Sequence, residues 1–426
     1  MSLHPGPDVY PGAATFPGGR ALPAVHERLR LHELDDQGQL GTDLSAPVAT
    51  LGTERGGDTA GVVLEPDTGT LNVTLAGDHT EALLPGTYVT LATTDDGGHR
   101  LFTGRVRRAR ARTSLDNRGR FRLITTVSAA DAQVELAKTK RWGAAASSVE
   151  SHQARLNRLM SGMSDVSAVI DSSHPDAADI WHRSYLHETD LAGHLQILAN
   201  GALLGWFVDV AGTVRLRRAT VSRFGAYTEP AKRQLLLTDG STLTDAGQAT
   251  TAGWDQLPYT DLVHEFSLDD MANQVSVRRY GRRPDPDGSG DYRTDEDTYG
   301  PVANLNLTQK WGRQELTVDC AVTNQPGDER ADIVLTSHYA SLRTPHLRPR
   351  EVTLNPGLYG YRDVELLDTI GVAHRGVLHQ LYVARITHDA GPTSWTTTLT
   401  LGDGAIDTQP GYKTGGPIIT DPNSGS

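Results

Sequence analysis

The densest set of oxygen ligands in the chain is Asp285-Pro286-Asp287-Gly288-Ser289-Gly290-Asp291-Tyr292-Arg293-Thr294-Asp295-Glu296. Counting Asp285 as the first position, acids or hydroxyls fall at the first, third and fifth, glycine at the sixth and Glu296 at the twelfth. That spacing wraps oxygens around Ca²⁺ in a helix–loop–helix site. Three features pull the other way: the preceding segment reads as strand, Pro286 is unusual at the second position, and Tyr292 replaces the usual aliphatic. Asp-Pro-Asp-Gly-Ser-Gly is also an ordinary turn sequence. Two readings stay open, a calcium loop with ligands Asp285, Asp287, Ser289, Asp291 and Glu296, or a solvated acidic hairpin turn.

His174, His182, His187 and His194 lie near Asp176, Asp179, Glu188 and Asp190. Zinc sites built from one helix need closer spacing, such as two histidines four residues apart. The expectation is surface and interface histidines. Arg105, Arg107, Arg108, Arg110 and Arg112 form the one basic cluster, and on a strand Arg108, Arg110 and Arg112 share a face. A solvated or interface strand is favoured over a phosphate site. Cys320 is the only cysteine, so an intramolecular disulfide and a thiolate cluster are excluded. It sits in the alternating run Leu316–Val322, which reads as a half-buried strand with an inert thiol. No Gly-x-Ser-x-Gly elbow, His-Glu-x-x-His motif, Walker motif or dinucleotide-binding glycine motif occurs.

The elements that must carry these residues are mostly short strands. Residues 1–47 are rich in Pro and Gly and read as an arm, with one partly alternating segment, Val25–His32. Residues 48–140 hold the β-rich runs Val62–Leu64, Leu71–Leu75, Tyr88–Leu91, Phe102–Val106 and Leu123–Val127. Turn signals separate them at Asp67-Thr68-Gly69, Pro85-Gly86, Asp96-Gly97-Gly98 and Asp116–Gly119, as in a small barrel or sandwich. Residues 141–260 change to an α/β insertion. Ser147-Ser148-Val149-Glu150 has the capping-box form, opening a helix with Val149, Leu156, Leu159, Met160 and Met163 near one face. A second helix is predicted from Asp190 to about Leu204, with Leu191, Leu195, Leu198 and Leu203 as its stripe; a hairpin turning at Ala211-Gly212 follows. Residues 261–405 return to strands: Asn273–Val277, Leu305–Leu307, Ile333–Leu335, Asp363–Leu367, Leu381–Ile386 and Trp395–Leu401. In the last, Trp395, Thr397, Leu399 and Leu401 share a face. Residues 406–426 are a Pro/Gly/Ser tail.

Two stretches carry a family resemblance. Tyr259–Arg279 is similar to minor tail proteins of phages that infect actinobacteria, and Ala384–Leu399 resembles the strand–turn–strand that closes them. The resemblance implies a tail-tip or baseplate hub, related in ring plan to contractile-phage hubs and the type VI secretion spike. It implies a mainly β fold in which two β-barrel-like tube domains (48–140 and 261–405) flank a smaller α/β domain (141–260). It also implies a homotrimer whose two barrels per chain make a pseudo-sixfold ring. Its partners would be the distal tail protein, the tape-measure protein and other tail-tip proteins, and DNA would pass through the ring without specific binding. The place of such a protein is the virion tail tip, after assembly in the bacterial host cytoplasm.

Composition agrees with a β-rich, non-enzymatic reading. The 426 residues exceed one compact domain, 44 are glycine, and the net charge of −12 disfavours a dedicated nucleic-acid binder. The N-terminus has no basic region followed by an apolar run, and no stretch approaches the length of a membrane span. A receptor-binding tail protein and a tail-associated cell-wall hydrolase are the alternatives. The first would need an aromatic carbohydrate platform, the second a catalytic constellation that no motif supplies. Paired carboxylates need only meet in space and stay open.

Overall fold

A computed structural model describes residues 29–34, 40–60, 63–94, 98–115, 121–170, 180–202, 204–217, 235–265, 272–323, 348–355, 364–391 and 394–402. The fold is mainly β, with several antiparallel sheets. Among the described residues, no helix is long and apolar enough to cross a membrane.

The first body consists of β1 (Leu29–Leu34), β2 (Leu40–Ala60), β3 (Val63–Ala76), β4 (Tyr88–Thr93), β5 (Arg100–Leu115) and β6 (Phe121–Ala130). Its antiparallel pairings run β1–β4–β5–β6–β3–β2 and return to β1, so the circuit closes on itself. Alternation in each strand turns Leu29, Leu31, Leu71, Val73, Leu75, Val89, Leu91, Phe102 and Val127 into one core. Each fully buried leucine contributes about 2 kcal/mol of transfer free energy. Gly104 allows a close backbone approach: a Cβ there would meet the Ala130 carbonyl at 2.3 Å.

Two expectations change in this body. Residues 29–34 are no arm: Leu29 and Leu31 are fully buried, and β1 is the strand that closes the circuit. Residues 1–28 of the expected arm lie outside the described residues. Asp67-Thr68-Gly69 is not a turn either. It lies inside the single long strand β3, which stays paired with β2 through a one-residue register shift between Glu54 and Gly56.

The middle of the chain supplies α1 (Gln133–Lys138), β7 (Lys140–Trp142), β8 (Val149–Ser151), α2 (His152–Met160), β9 (Ala168–Ile170), β10 (Trp181–Arg183), β11 (Glu188–Asp190), α3 (Leu191–Ala202), β12 (Gly205–Val208) and β13 (Val214–Arg217). Helix α2 starts one turn later than the capping-box form predicts. Val149–Ser151 pairs with Trp181–Arg183, and the Ser151 hydroxyl accepts from the Ala154 amide at 3.2 Å. The α3 stripe of Leu191, Leu195 and Leu198 is buried as predicted, while Leu203 lies outside the described residues. The β12–β13 hairpin also forms as predicted.

The remaining elements are β14 (Leu235–Thr238), α4 (Asp245–Thr250), β15 (Asp255–Pro258), β16 (Asp261–Glu265), β17 (Gln274–Pro284), β18 (Tyr292–Ala303), α5 (Leu305–Trp311), β19 (Glu315–Cys320), β20 (Arg348–Leu354), β21 (Thr369–His374), β22 (Val377–Ala390) and β23 (Trp395–Gly402). Leu305–Leu307 is helix and not strand, because the Asn304 side chain accepts from the Leu307 amide and caps it. The described part of 363–367 is a turn that buries Leu366 and Leu367. The predicted strands 333–335 and the tail 406–426 lie outside the described residues.

Packing does not follow the expected division at 260/261. Strands β17–β19, downstream of it, place Val275, Val277, Val318 and Cys320 in the core formed by Leu156, Leu159, Leu195, Leu198, Trp206 and Leu216. Strands β14 and β15, upstream of it, pair in the large sheet beside β21. That sheet runs β15–β14–β21–β22–β23–β20–β16 around a core that includes Leu237, Val352, Ile370, Val372, Val383, Leu399 and Leu401. Strand β22 ties the two bodies together. One of its edges carries β21 along 377–382 and β2 along 385–390, and the other carries β23.

Candidate functional site

The acidic stretch forms the tip of the β17–β18 hairpin. The Asp285 amide donates to the Asp291 carbonyl at 2.8 Å, and the Ser289 amide donates to the Asp287 carboxylate at 2.8 Å. The Asp287 amide reaches the Asp285 carboxylate at 3.3 Å, and the Asp291 amide reaches the Ser289 hydroxyl at 3.1 Å. Hydrogen bonds from Ser289 hold the Asp287 carboxyl below its usual range. Gly288 and Gly290 take φ of 76° and 80°, the left-handed region this tight turn requires. Glu296 is elsewhere: it pairs with Tyr280, four ladder positions below Pro284–Tyr292, or roughly 13 Å along the strand. The helix–loop–helix geometry that calcium spacing predicts is thus replaced by a hairpin, and Asp285, Asp287, Ser289 and Asp291 are not joined by Glu296. Among the described residues, no group of three or more His, Cys, Asp or Glu could hold a metal ion.

The base of this hairpin is neutralised within the fold. Arg183 of β10 bridges Asp295 at 3.0 Å and Asp297 at 3.1 Å, Arg279 pairs with Asp297, and Arg278 is bidentate to Asp319 at 2.8 Å. The Thr294 hydroxyl donates to the Leu186 carbonyl. The Asp297 carboxyl is lowered, first by its bond to Arg279 and then, against burial, by Arg183.

The arginine cluster lies on β5 as predicted. Arg108, Arg110 and Arg112 share one exposed face. Arg107 falls at a register irregularity between Val106 and Arg108. Arg105 alone turns to the body: it pairs with Glu135 and Asp165 and lies over the Tyr88 ring.

The histidines depart from expectation. His182 and His194 are fully buried rather than at the surface. His182 Nε2 lies 2.9 Å from Nδ1 of buried His152. His194 Nε2 faces the Arg141 carbonyl at 2.9 Å, so that nitrogen donates and Nδ1 accepts from the Tyr185 hydroxyl at 2.6 Å. Burial pushes His194 down to about 4 and Tyr185 up to about 12. His187 stacks on Tyr280. Buried His182 and His194 fix side-chain orientation within the core. His174, Asp176 and Asp179 lie outside the described residues. Cys320 is a buried free thiol, as its alternating run predicts.

Sequence reasoning missed the buried junction around Arg55. This residue, between Glu54 and Gly56-Gly57 on β2, bonds Glu365 at 2.9 Å and reaches the Val208 carbonyl at 3.4 Å. It therefore joins the first body to the end of β12 and to the turn that precedes β21. Burial pushes nearby Asp131 up to about 7, against amides donated by Gln133 and Gly69 and the charge of Arg55. Burial, with Arg55, pushes His388 down to about 3. Arg217 likewise bonds Asp368 and the Leu366 carbonyl. A charged residue beside paired glycines inside a strand was the one local signal. Tyr259, Asp239, His264 and His374 also converge: Tyr259 Oη is 2.9 Å from His374 Nδ1, and the two histidine rings are 4.8 Å apart.

No family model matches the chain, and no curated protein is similar to it in sequence. Solved structures are similar in fold. The tail protein from Neisseria meningitidis MC58 superposes with a TM-score of 0.52 at 10% identity, over 88% of this chain and 96% of its own. The 43 kDa tail protein of prophage MuSo2 from Shewanella oneidensis gives a TM-score of 0.50 at 12% identity, over 89% and 98%. The likeness of fold thus spans nearly the full length of both neighbours.

Proposed function

We propose that a chain with this fold is a structural subunit of a phage tail tip, of the baseplate hub type, and not an enzyme. The observation that carries this reading is the end-to-end likeness to two tail proteins whose own chains are almost wholly covered. In this reading the closed β1–β6 circuit is the first tube-facing barrel and the sheet centred on β22 is the second. The core of α2, α3 and β17–β19 is the insertion between them. Three chains would place six such β bodies around a channel, matching a sixfold tube. The ring would join the distal tail protein to host-facing tip proteins and let the tape-measure protein and DNA pass. The overall charge of −12 suits passage, since phosphate does not adhere to an acidic wall.

Light scattering of the purified protein, alone and with its tail-tube neighbour, tests the reading. A trimer in either case, with a central channel in electron micrographs, is the expected result. A strict monomer in both would overturn it. Zymography on host cell walls is expected to show no clearing, and a clearing band would overturn the non-enzymatic part.

A further inference from the structure

Strand alternation gives the large sheet a polar layer at one end of its core. Leu237, Leu257, Leu262, Val372 and Leu381 pack in that core. Two residues further toward the same end, in turn, stand Asp239, Tyr259, His264, His374 and His379. Asp239 follows β14, Tyr259 lies in the corner between β15 and β16, His264 is on β16, His374 ends β21 and His379 is on β22. His374 Nδ1 is 2.9 Å from Tyr259 Oη and 3.3 Å from Asp239 Oδ2. The His264 ring lies 4.8 Å from the His374 ring and 6.3 Å from the His379 ring. All three imidazoles are half-buried.

The charges that face these rings are unequal. Asp239 faces His374 and accepts from the Ser241 and Arg375 amides, each at 2.9 Å. Arg375 adds positive charge beside His374 in the turn between β21 and β22. From β20, Arg350 is joined to Glu265 at 3.3 Å. Exposed Asp261 and Glu351 fall on the opposite face by alternation, and Asp255 is at the far end of β15. An imidazolium at His374 therefore has Asp239 as its counter-charge. One at His264 would face that cation and Arg375 with no carboxylate at ion-pair distance among the described residues. Burial, then His374 and Arg375, hold His264 below the usual histidine range. Against burial, bonds from Ser241 and the Arg375 amide, with His374, hold Asp239 at about 2, so it stays charged while imidazoles titrate. The corner is also the least tied part of the sheet: among the described residues β15 pairs only with β14, and β16 only with β20.

We propose that this layer is an acid-sensitive clasp, in which like charge on His264 and His374 parts β16 and its corner from the β21–β22 hairpin while the rest of the fold holds. The sign follows from the depressed His264: its neutral form contributes in full above the ordinary value of 6.5, and that contribution is lost as pH falls below it.

Hydrogen exchange of the full chain, read by mass spectrometry and corrected for intrinsic rates, tests the clasp. Between about pH 7.5 and about pH 5.5, segments 259–265 and 372–380 are expected to exchange about tenfold faster. His264→Gln, which takes no proton at that position, is expected to cut this increase to less than about twofold. Buried His194 and His388 are also held down by burial and weaken the fold in acid. The variant retains both, so the difference between variant and wild type isolates the clasp. His374→Gln is expected to act like His264→Gln, and it serves if the latter fails to fold. No local increase in the wild type, or the same increase in both variants, would overturn the proposal.

Discussion

Two hairpins of this protein are rich in charge and project from their sheets, and they resolve that charge in opposite ways. The β17–β18 hairpin balances its acids against Arg183, Arg278 and Arg279, so its base is locked to β10 and β19. The β5–β6 ribbon leaves Arg107, Arg108, Arg110 and Arg112 without acidic partners among the described residues, above an apolar face that continues a core strand into solvent. Composition alone ranks the two as equals. What separates them is whether the fold has already supplied the counter-charge. A hairpin satisfied from within is tied to its own body, and the other keeps its charge in solvent.

The largest contrast is expected along the ribbon itself. Phe102→Ala, at its buried base, should cost about 3–5 kcal/mol in urea unfolding. Phe121→Ala at its tip should stay within about 0.5 kcal/mol. A large loss at Phe121 would mean that the tip is part of the core of its own chain. Next comes Arg183→Ala, which leaves Asp297 to Arg279 alone and Asp295 to the more distant Arg283, and should cost about 1–2 kcal/mol. Ala at Arg108, Arg110 and Arg112 together should cost less than about 1 kcal/mol. Equal losses would erase the distinction drawn here.

Acid should separate the hairpins as well. Because Arg279 and Arg183 depress Asp297 in the folded state, its contribution is complete above the ordinary carboxylate value of 3.8 and is lost as pH falls below it. Amide exchange of β18 is expected to accelerate there, while the outer part of β5, which has no titrating partner among the described residues, keeps its rate. The smallest effect is expected from calcium. Millimolar Ca²⁺ should give neither heat nor a melting shift, and a stoichiometric binding isotherm would mean that Glu296 can leave the ladder and join Asp285, Asp287, Ser289 and Asp291.

Much of the β character was legible because alternation is a local signal. Trp395, Thr397, Leu399 and Leu401 all face inward as their spacing predicts, and Arg108, Arg110 and Arg112 share the outer face. The failures arose where distant partners decide. Leu29 and Leu31 look like part of an arm until β4 and β2 close over them. Asp67-Thr68-Gly69 has turn chemistry, but pairing with β2 keeps it extended. His182 and His194 look like surface residues until His152, Tyr185 and the Arg141 carbonyl satisfy them. The calcium spacing is real in sequence, yet a ladder in place of a second helix carries Glu296 away from the tip.

The seam between β2 and β22 also sets a schedule for folding. Residues up to Ala130 can close their own circuit from neighbouring strands, but the Leu51–Gly56 edge of β2 waits for Arg385–Ala390. During synthesis at ~5–20 residues per second, the roughly 260 intervening residues take about 13–50 s to appear. Throughout that interval the first body presents a bare strand edge, a template for wrong pairing. Glu54 and Arg55, central in the edge and flanked by Gly52 and Gly56, keep that template charged and irregular until its proper strand arrives.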